Sequence, residues 1–213
     1  MRDRTHTLLA IAARAPVIPV VTIDDPSIAP ELAATLVEAG LPVVEVTLRT
    51  PRALDAIRAI ARHAPEAIVL AGTIVTPSQI GEAKDAGAAA LVTPGTSARL
   101  ADALAAAPIP AMPGCATVSE AMALHERGFE LLKLFPAAAS GGTAWLKGIA
   151  GPLPALRFCP TGGIDAQSAP AYLACPNVAC VGGTWVTPAK LVEAGDLAAI
   201  GRLARAAAAL ARG

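Results

Sequence analysis

The sequence predicts an α/β protein of the (β/α)8 TIM-barrel class with a short N-terminal helix. Three observations lead to this prediction: short β-branched runs recur along the chain, each ends in Gly, Pro or Thr, and an Ala- and Leu-rich stretch of helical period follows each one. Strands that alternate with helices form parallel sheets with right-handed crossovers. We therefore expect the chain to form one barrel domain, 1–213.

Eight runs of this kind can be counted, beginning near Val17, Val43, Ile68, Ala90, Ile109, Leu131, Phe158 and Val178. Their mean spacing of about 23 residues fits a strand of about five residues, a helix of about eleven and two short loops. Eight such units favour a closed barrel over an open doubly wound sheet. The Rossmann form of that alternative is also disfavoured, because no G-x-G-x-x-G follows the first run.

The composition argues against several classes of partner. The formal net charge is zero and the sequence pI is about 6.8, so no general field attracts nucleic acid. Mean hydropathy is high at +0.54, but no apolar run reaches the ~18 residues that would cross a bilayer. The first sixteen residues mix Arg with Asp and do not resemble a signal peptide. We expect a cytoplasmic protein that binds neither nucleic acid nor membranes.

Cysteines and histidines give no sign of a metal site. The four cysteines are scattered with no CxxC pair, which favours reduced, buried thiols. The three histidines form no HxxxH or HExxH pattern. The sequence thus predicts no protein-held metal.

The second run, 43–49, carries charged residues where a parallel strand should be aliphatic. Such strands are covered on both faces and normally read as continuous apolar runs. With a period of two, Glu45 and Arg49 share one face with Thr47, while the valines face the other way. Glu45 would then lie deep inside the barrel and Arg49 near its C-terminal mouth. A surface ion pair at a strand end is the alternative.

The sixth run contains the only lysine of the four that lies within an apolar strand. Lys133 shares a face with Phe135, whereas the other lysines fall in polar or helical surroundings. Lysine is almost fully protonated at pH 7, and burial in apolar walls beside a cation such as Arg49 favours the neutral amine needed for nucleophilic attack. Lys133 is therefore a candidate Schiff-base nucleophile. It could instead extend to the barrel mouth and pair with a carboxylate there.

Imine chemistry also needs a group that moves protons. Glu45, expected to be equally buried, is the candidate acid and base opposite Lys133. The predicted strands seven and eight end in Gly162-Gly163 and Gly182-Gly183, at the loops where barrels commonly bind phosphate. Simple tight turns are the alternative for these glycines.

Other polar groups are expected at the same rim. Thr73 ends the third run, and 93–95 end the fourth with a hydroxyl and exposed backbone. Thr73 could donate to a carboxylate held by the guanidinium of Arg49, whose fork suits a bidentate grip.

These residues together closely resemble the bacterial 2-keto-3-deoxy-6-phosphogluconate (KDPG) aldolase family, which includes 4-hydroxy-2-oxoglutarate (KHG) aldolases. The resemblance covers about residues 16–194. It is carried by VVEVTLRT (43–50), AGT (71–73), TPG (93–95), KLFPA (133–137), RFCPTGGI (157–164) and VGGTW (181–185). It implies a class I, metal-free and cofactor-free lyase, usually a homotrimer, that cleaves a phosphorylated keto acid of the Entner-Doudoroff pathway to pyruvate and glyceraldehyde 3-phosphate.

The resemblance also implies the roles of individual residues. Lys133 would form the imine, Glu45 would transfer protons, and Arg49 and Thr73 would hold the pyruvyl carboxylate. The remaining contacts to substrate and phosphate would come from the ends of four strands: Pro94, Phe135, Thr161, Gly162, Gly163, Gly182, Gly183 and Thr184.

Two departures from the family pattern fall at positions that bear on substrate affinity. Thr184 stands where Ser is common, and Ala138 stands where Glu is frequent. Thr161 fits the gluconate-type enzymes better than galactonate-specific ones. Two alternatives remain open at this point: a 2-keto-3-deoxy-6-phosphogalactonate aldolase, and a non-catalytic barrel that binds phosphosugars.

Overall fold

A computed structural model describes residues 2–211, in which short parallel strands alternate with helices. The strands are β1 (Val17–Val21), β2 (Val43–Thr47), β3 (Ile68–Gly72), β4 (Ala90–Val92), β5 (Ala111–Met112), β6 (Gly114–Cys115), β7 (Leu131–Leu134), β8 (Arg157–Pro160) and β9 (Val181–Gly183). The helices are α1 (Arg2–Ala12), α2 (Ala29–Glu38), α3 (Ala53–His63), α4 (Ser78–Asp85), α5 (Ala98–Ala106), α6 (Val118–Glu126), α7 (Gly142–Ala150), α8 (Ala169–Leu173), α9 (Ala189–Glu193) and α10 (Leu197–Ala208). All eight predicted strands and the N-terminal helix are present. The α/β class is confirmed.

The strands form a curled parallel sheet. Six of them follow the order β5-β4-β3-β2-β1-β9, and three more follow the order β6-β7-β8. Only Pro113 separates β5 from β6, so the fifth predicted strand is one segment broken where proline offers no N–H. The Pro113 carbonyl accepts a hydrogen bond from Lys133 N at 2.9 Å. On the other side, bridges at Phe158–Val178 and Thr161–Gly182 connect β8 with the β9 segment.

Helix ends follow the local sequence signals. Helix α2 has Pro30 in its first turn and ends before Gly40, whose φ of 91° is the left-handed conformation that glycine adopts without strain. Helix α4 ends in the same way before Gly87, with φ of 98°. Within residues 2–211, no helix is both long and apolar enough to cross a membrane.

The two faces of the sheet are covered differently. The outer face packs against the helices in the large hydrophobic core. On the inner face a second cluster lies mainly toward the N-terminal ends of the strands, and we call it the apolar layer: Leu8, Ala12, Ile18, Val43, Leu70, Ala90, Val92, Met112, Leu131, Cys159 and Cys180. Leu8 and Ala12 come from α1, which covers this end of the sheet. Arg4 anchors α1 by donating to the carbonyls of Ala105 (2.9 Å) and Ala107 at the end of α5.

Candidate active site

The strand period places a different set of side chains two residues beyond the apolar layer. We call this set the functional layer: Glu45 follows Val43, Gly72 follows Leu70, Lys133 follows Leu131, Thr161 follows Cys159 and Gly182 follows Cys180. These positions lie on the same inner face as the apolar layer because strand side chains alternate between faces. The site therefore rests on packed aliphatic side chains.

Lys133 and Glu45 form a buried ion pair across the inner face. Lys133 Nζ lies 2.8 Å from Glu45 Oε1 and 3.2 Å from Oε2. The two side chains are only 5% and 2% exposed, respectively. The centre of the Phe135 ring lies 5.5 Å from the same Nζ. Desolvation of two charges is costly, so such a pair suggests a chemical task more readily than a contribution to stability.

Lys133 opens onto a cavity of about 180 Å³ at the C-terminal end of the strands. The residues around it come from strand ends and the loops that follow: Val20, Arg49, Lys133, Phe135, Thr161, Gly162, Gly163, Ile164, Gly182 and Thr184. The cavity thus brings together most of the residues predicted from the sequence. Val20 and Ile164 were missed, since an aliphatic side chain carries no chemical signal of its own.

Besides Glu45, which is buried against Lys133, three predicted residues do not line this cavity. Thr73 directly follows β3 and has a φ of 61°, a strained conformation for a β-branched residue. Pro94 has its carbonyl packed against Gly114. A Cβ atom built on Gly183 would overlap the Trp185 ring, whereas one built on Gly182 would overlap Thr161. Position 183 therefore faces away from Thr161.

The expected position of Arg49 needs one correction. Strand β2 ends at Thr47, so Arg49 lies in the turn after it and is exposed. The turn is anchored on both sides, because Leu48 N donates to the Gly72 carbonyl (2.8 Å) and Thr50 Oγ1 to the Ile23 carbonyl (2.7 Å). Arg49 still reaches the cavity, but from a fixed turn.

Several polar groups at this end of the sheet have no partner of their own. Within residues 2–211, no hydrogen bond or ion pair engages the Arg49 guanidinium or the hydroxyls of Thr73 and Thr184. The N–H groups of Gly162 and Gly163 likewise donate to nothing in that range. The φ angles of these glycines, 96° and 73°, lie in the left-handed region that glycine adopts without strain. These donors remain available to an anionic ligand.

The cysteines and other metal-binding residue types form no second site. All four cysteines are buried, as predicted, and burial raises the pKa of the Cys115 thiol to about 12, with the Glu120 carboxylate acting in the same direction. Such a thiol is unreactive at neutral pH. Over the described part of the chain, no three His, Cys, Asp or Glu side chains are grouped so as to hold a metal ion.

Comparisons with known proteins agree on one family. A family model described as "KDPG and KHG aldolase" matches residues 9–203. The KHG/KDPG aldolase of Escherichia coli K12 is 46% identical over 207 residues, which cover 97% of each chain.

Solved structures give the same result. The KDPG aldolase of Legionella pneumophila, with pyruvate captured at low pH as a covalent carbinolamine, has a TM-score of 0.92 at 41% identity and covers 94% of this chain and 98% of its own. The 2-keto-3-deoxy-6-phosphogluconate aldolase of Zymomonas mobilis ZM4 with 3-phosphoglycerate has a TM-score of 0.91 at 41% identity, with 98% of each chain covered.

Proposed function

Because this chain belongs to the KDPG and KHG aldolase family, we propose that Lys133 is the Schiff-base nucleophile and Glu45 the proton-transfer group of its reaction. The chain is a lyase, a class I aldolase that cleaves 2-keto-3-deoxy-6-phosphogluconate to pyruvate and glyceraldehyde 3-phosphate, a step of the Entner-Doudoroff pathway. The observation that carries the residue assignment is the buried contact of 2.8 Å between Lys133 Nζ and Glu45 Oε1 at the cavity.

The contact suits each proton transfer of the reaction. A proton passing from the ammonium to Glu45 leaves the neutral amine, which attacks the C2 ketone to form a carbinolamine. Glu45 returns that proton to the C2 hydroxyl, which leaves as water and gives the iminium ion. Glu45 then takes the proton of the C4 hydroxyl, the C3–C4 bond breaks, and its electron pair flows into the iminium to form an enamine and the free aldehyde. Protonation at C3 and hydrolysis release pyruvate and restore Lys133.

The unpartnered donors suit the two anionic ends of the substrate. We assign the pyruvyl carboxylate to Arg49 and Thr73, and the phosphate to Gly162, Gly163 and Thr184. A guanidinium fork matches a carboxylate, and adjacent backbone N–H groups suit phosphate oxygens. Phe135, Thr161 and Gly182 would contact the substrate between these ends. Pro94 and Gly183 remain weaker candidates, because their packing directs them away from the cavity.

Borohydride trapping tests the residue assignment. Reduction in the presence of pyruvate should convert the imine to a stable secondary amine on Lys133, located by peptide mass spectrometry. An adduct on another lysine, with Lys133 unmodified, would contradict the proposal. Pyruvate release should also be compared for the two C4 epimers. A clear preference for the galactonate epimer would favour the rival aldolase, and binding without pyruvate release would favour a non-catalytic barrel.

We propose cleavage of 4-hydroxy-2-oxoglutarate as a second activity, because the E. coli relative at 46% identity is named for both substrates. This substrate carries a second carboxylate where the other carries a phosphate, so it cannot use the glycine donors in the same way. We expect a higher KM than for the phosphorylated substrate when pyruvate release is measured for both. Absence of turnover at millimolar concentration would restrict the enzyme to phosphorylated keto acids.

We further infer that the sheet closes into a (β/α)8 barrel and that the chain is one domain, 1–213. Support comes from the continuity of β5 and β6 around Pro113 and from the bridges between β8 and the β9 segment. Hydrogen exchange offers a test. A closed barrel should protect β5 and β9 as strongly as β2, whereas strands at an open edge would exchange faster.

We also propose that the protein is a homotrimer and lies in the cytoplasm. Val75, Val118 and Met122 are large apolar side chains with 54%, 38% and 47% of their surfaces exposed, and subunit contacts would cover such surface. Buried thiols are typical of a reducing compartment. Light scattering should give three times the chain mass, and a monomer would contradict the assembly.

A further inference from the structure

Gly72 lies where the side chain of Glu45 needs space. It ends β3 and pairs with Thr47 of the neighbouring strand β2, so its missing side chain would project from the same inner face as Glu45. A Cβ atom built on Gly72 would lie 2.6 Å from Glu45 Cγ and 2.8 Å from Cδ, and closer still to Oε1. Carbon atoms in favourable contact are about 3.5–4.0 Å apart. The Glu45 carboxylate therefore occupies the volume that any other residue at 72 would fill.

Backbone conformation does not explain this glycine. Gly72 has no positive φ angle and belongs to a regular strand, so alanine could adopt its backbone without strain. Gly162 and Gly163 differ from Gly72, because both have positive φ angles. Space for Glu45 is the feature that distinguishes Gly72.

The surrounding structure leaves little room for relief. The Gly72 backbone is fixed by pairing with Thr47, and its carbonyl accepts a hydrogen bond from Leu48 N at 2.8 Å. Leu70, which pairs with Glu45, is fully buried beside it. If the strand cannot retreat, the Glu45 side chain must turn away from position 72. Its contact with Lys133 Nζ would then be lost.

We infer that Gly72 is a positioning residue for catalysis: by leaving space on β3, it directs the Glu45 carboxylate to Lys133 and thereby permits proton transfer at the substrate carbons. The inference rests on the proposed role of Glu45. It predicts that Gly72→Ala separates two steps. The amine of Lys133 remains and still forms an imine, although more slowly because Glu45 no longer takes its proton. Proton transfer at the substrate carbons, which every turnover requires, is impaired by displacement of the carboxylate.

The first measurement compares these two steps in Gly72→Ala. Turnover and the exchange of pyruvate methyl protons with D2O should fall by about 10²–10⁴-fold, the usual contribution of a positioned acid or base. The borohydride adduct on Lys133 should still form. Gly81→Ala is the matched control, because Gly81 lies in α4 with no atom within 4 Å of its would-be Cβ. An unchanged exchange rate in Gly72→Ala would overturn the inference.

A second measurement asks whether the methyl group acts through Glu45. In a Glu45→Ala background the space beside position 72 is empty. Adding Gly72→Ala should then change the rate of pyruvate proton exchange by less than about twofold and the melting temperature by no more than a few degrees. In Glu45→Gln the volume is retained without the charge, so Gly72→Ala should still destabilise the protein. If Gly72→Ala alone does not fold, Glu45→Ala should restore folding.

The outcomes distinguish this inference from the function on which it rests. Equal losses from Gly72→Ala with and without the Glu45 side chain would show that Gly72 acts independently of Glu45, and would overturn the inference alone. A wild-type enzyme that forms no Lys133 adduct with pyruvate would instead contradict the proposed mechanism.

Discussion

The apolar layer and the functional layer are built by the same strands, two residues apart, yet they serve opposite purposes. In β2 the step leads from Val43 to Glu45, and in β7 from Leu131 to Lys133. The apolar-layer residue packs and excludes water, while the functional-layer residue carries a charge. The reaction therefore needs few changes to the core of the sheet: a charged pair replaces aliphatic side chains, and glycines leave space around it. Substitutions in the two layers should therefore affect different measurable quantities.

The largest effect is expected from Lys133→Ala in the functional layer. Loss of the nucleophile should lower kcat by about 10⁴-fold or more and abolish the borohydride adduct. Lys147→Ala is the control, because this lysine is exposed on α7 and should leave turnover unchanged. Turnover that survives in Lys133→Ala and disappears in Lys147→Ala would reverse the assignment.

Leu131→Ala, two residues earlier in the same strand, tests the apolar layer. Leu131 is 1% exposed, so its truncation should lower the free energy of unfolding by about 2–5 kcal/mol, measured by urea denaturation. The kcat of the remaining folded enzyme should change little. A fall in kcat comparable to that of Lys133→Ala would mean that the two layers are not separable.

Arg49→Ala should affect binding more than chemistry. Hydrogen bonds to charged groups contribute about 1.5–3 kcal/mol, so KM should rise by about 10–100-fold with a smaller change in kcat. Arg52→Ala is a close control, since Arg52 lies three residues on and pairs with Asp55 at 2.9 Å on the surface. Equal kinetic effects of the two substitutions would show that Arg49 does not contact the substrate.

Thr184→Ser should have the smallest effect. The change removes one methyl group beside the assigned phosphate position and keeps the hydroxyl, so kcat/KM should change by less than about threefold. Thr184→Val, which removes the hydroxyl, should have the larger effect. If Ser and Val behave alike in steady-state assays, the hydroxyl is not a phosphate ligand.

Sequence periodicity predicted the main elements of the fold and the two charged residues at the centre of the site. The eight strands and the shared inner face of Glu45 and Lys133 follow from a period of two and from charges in apolar runs, which are visible in the sequence alone. The contact itself spans 88 residues of sequence separation and required the structure.

Features set by three-dimensional packing were not predictable in this way. The split of the fifth strand at Pro113 and the turn that holds Arg49 depend on hydrogen bonds to neighbouring strands. The strained φ of Thr73 and the outward direction of Gly183 depend on local geometry. Gly72 read as an ordinary strand-end glycine, because the side chain that requires its space lies on another strand.

The closure of one end of the sheet by α1 determines the order of events during turnover. Leu8, Ala12 and the rest of the apolar layer fill the space beneath Lys133, so substrate and products enter and leave at the C-terminal ends of the strands, where the cavity lies. The aldehyde fragment, which no covalent bond holds, has to depart by this same end while the three-carbon fragment is still attached to the amine. Only then can water reach the enamine-derived imine. Slow release of the aldehyde from the cavity would therefore delay hydrolysis and favour the reverse, bond-forming direction.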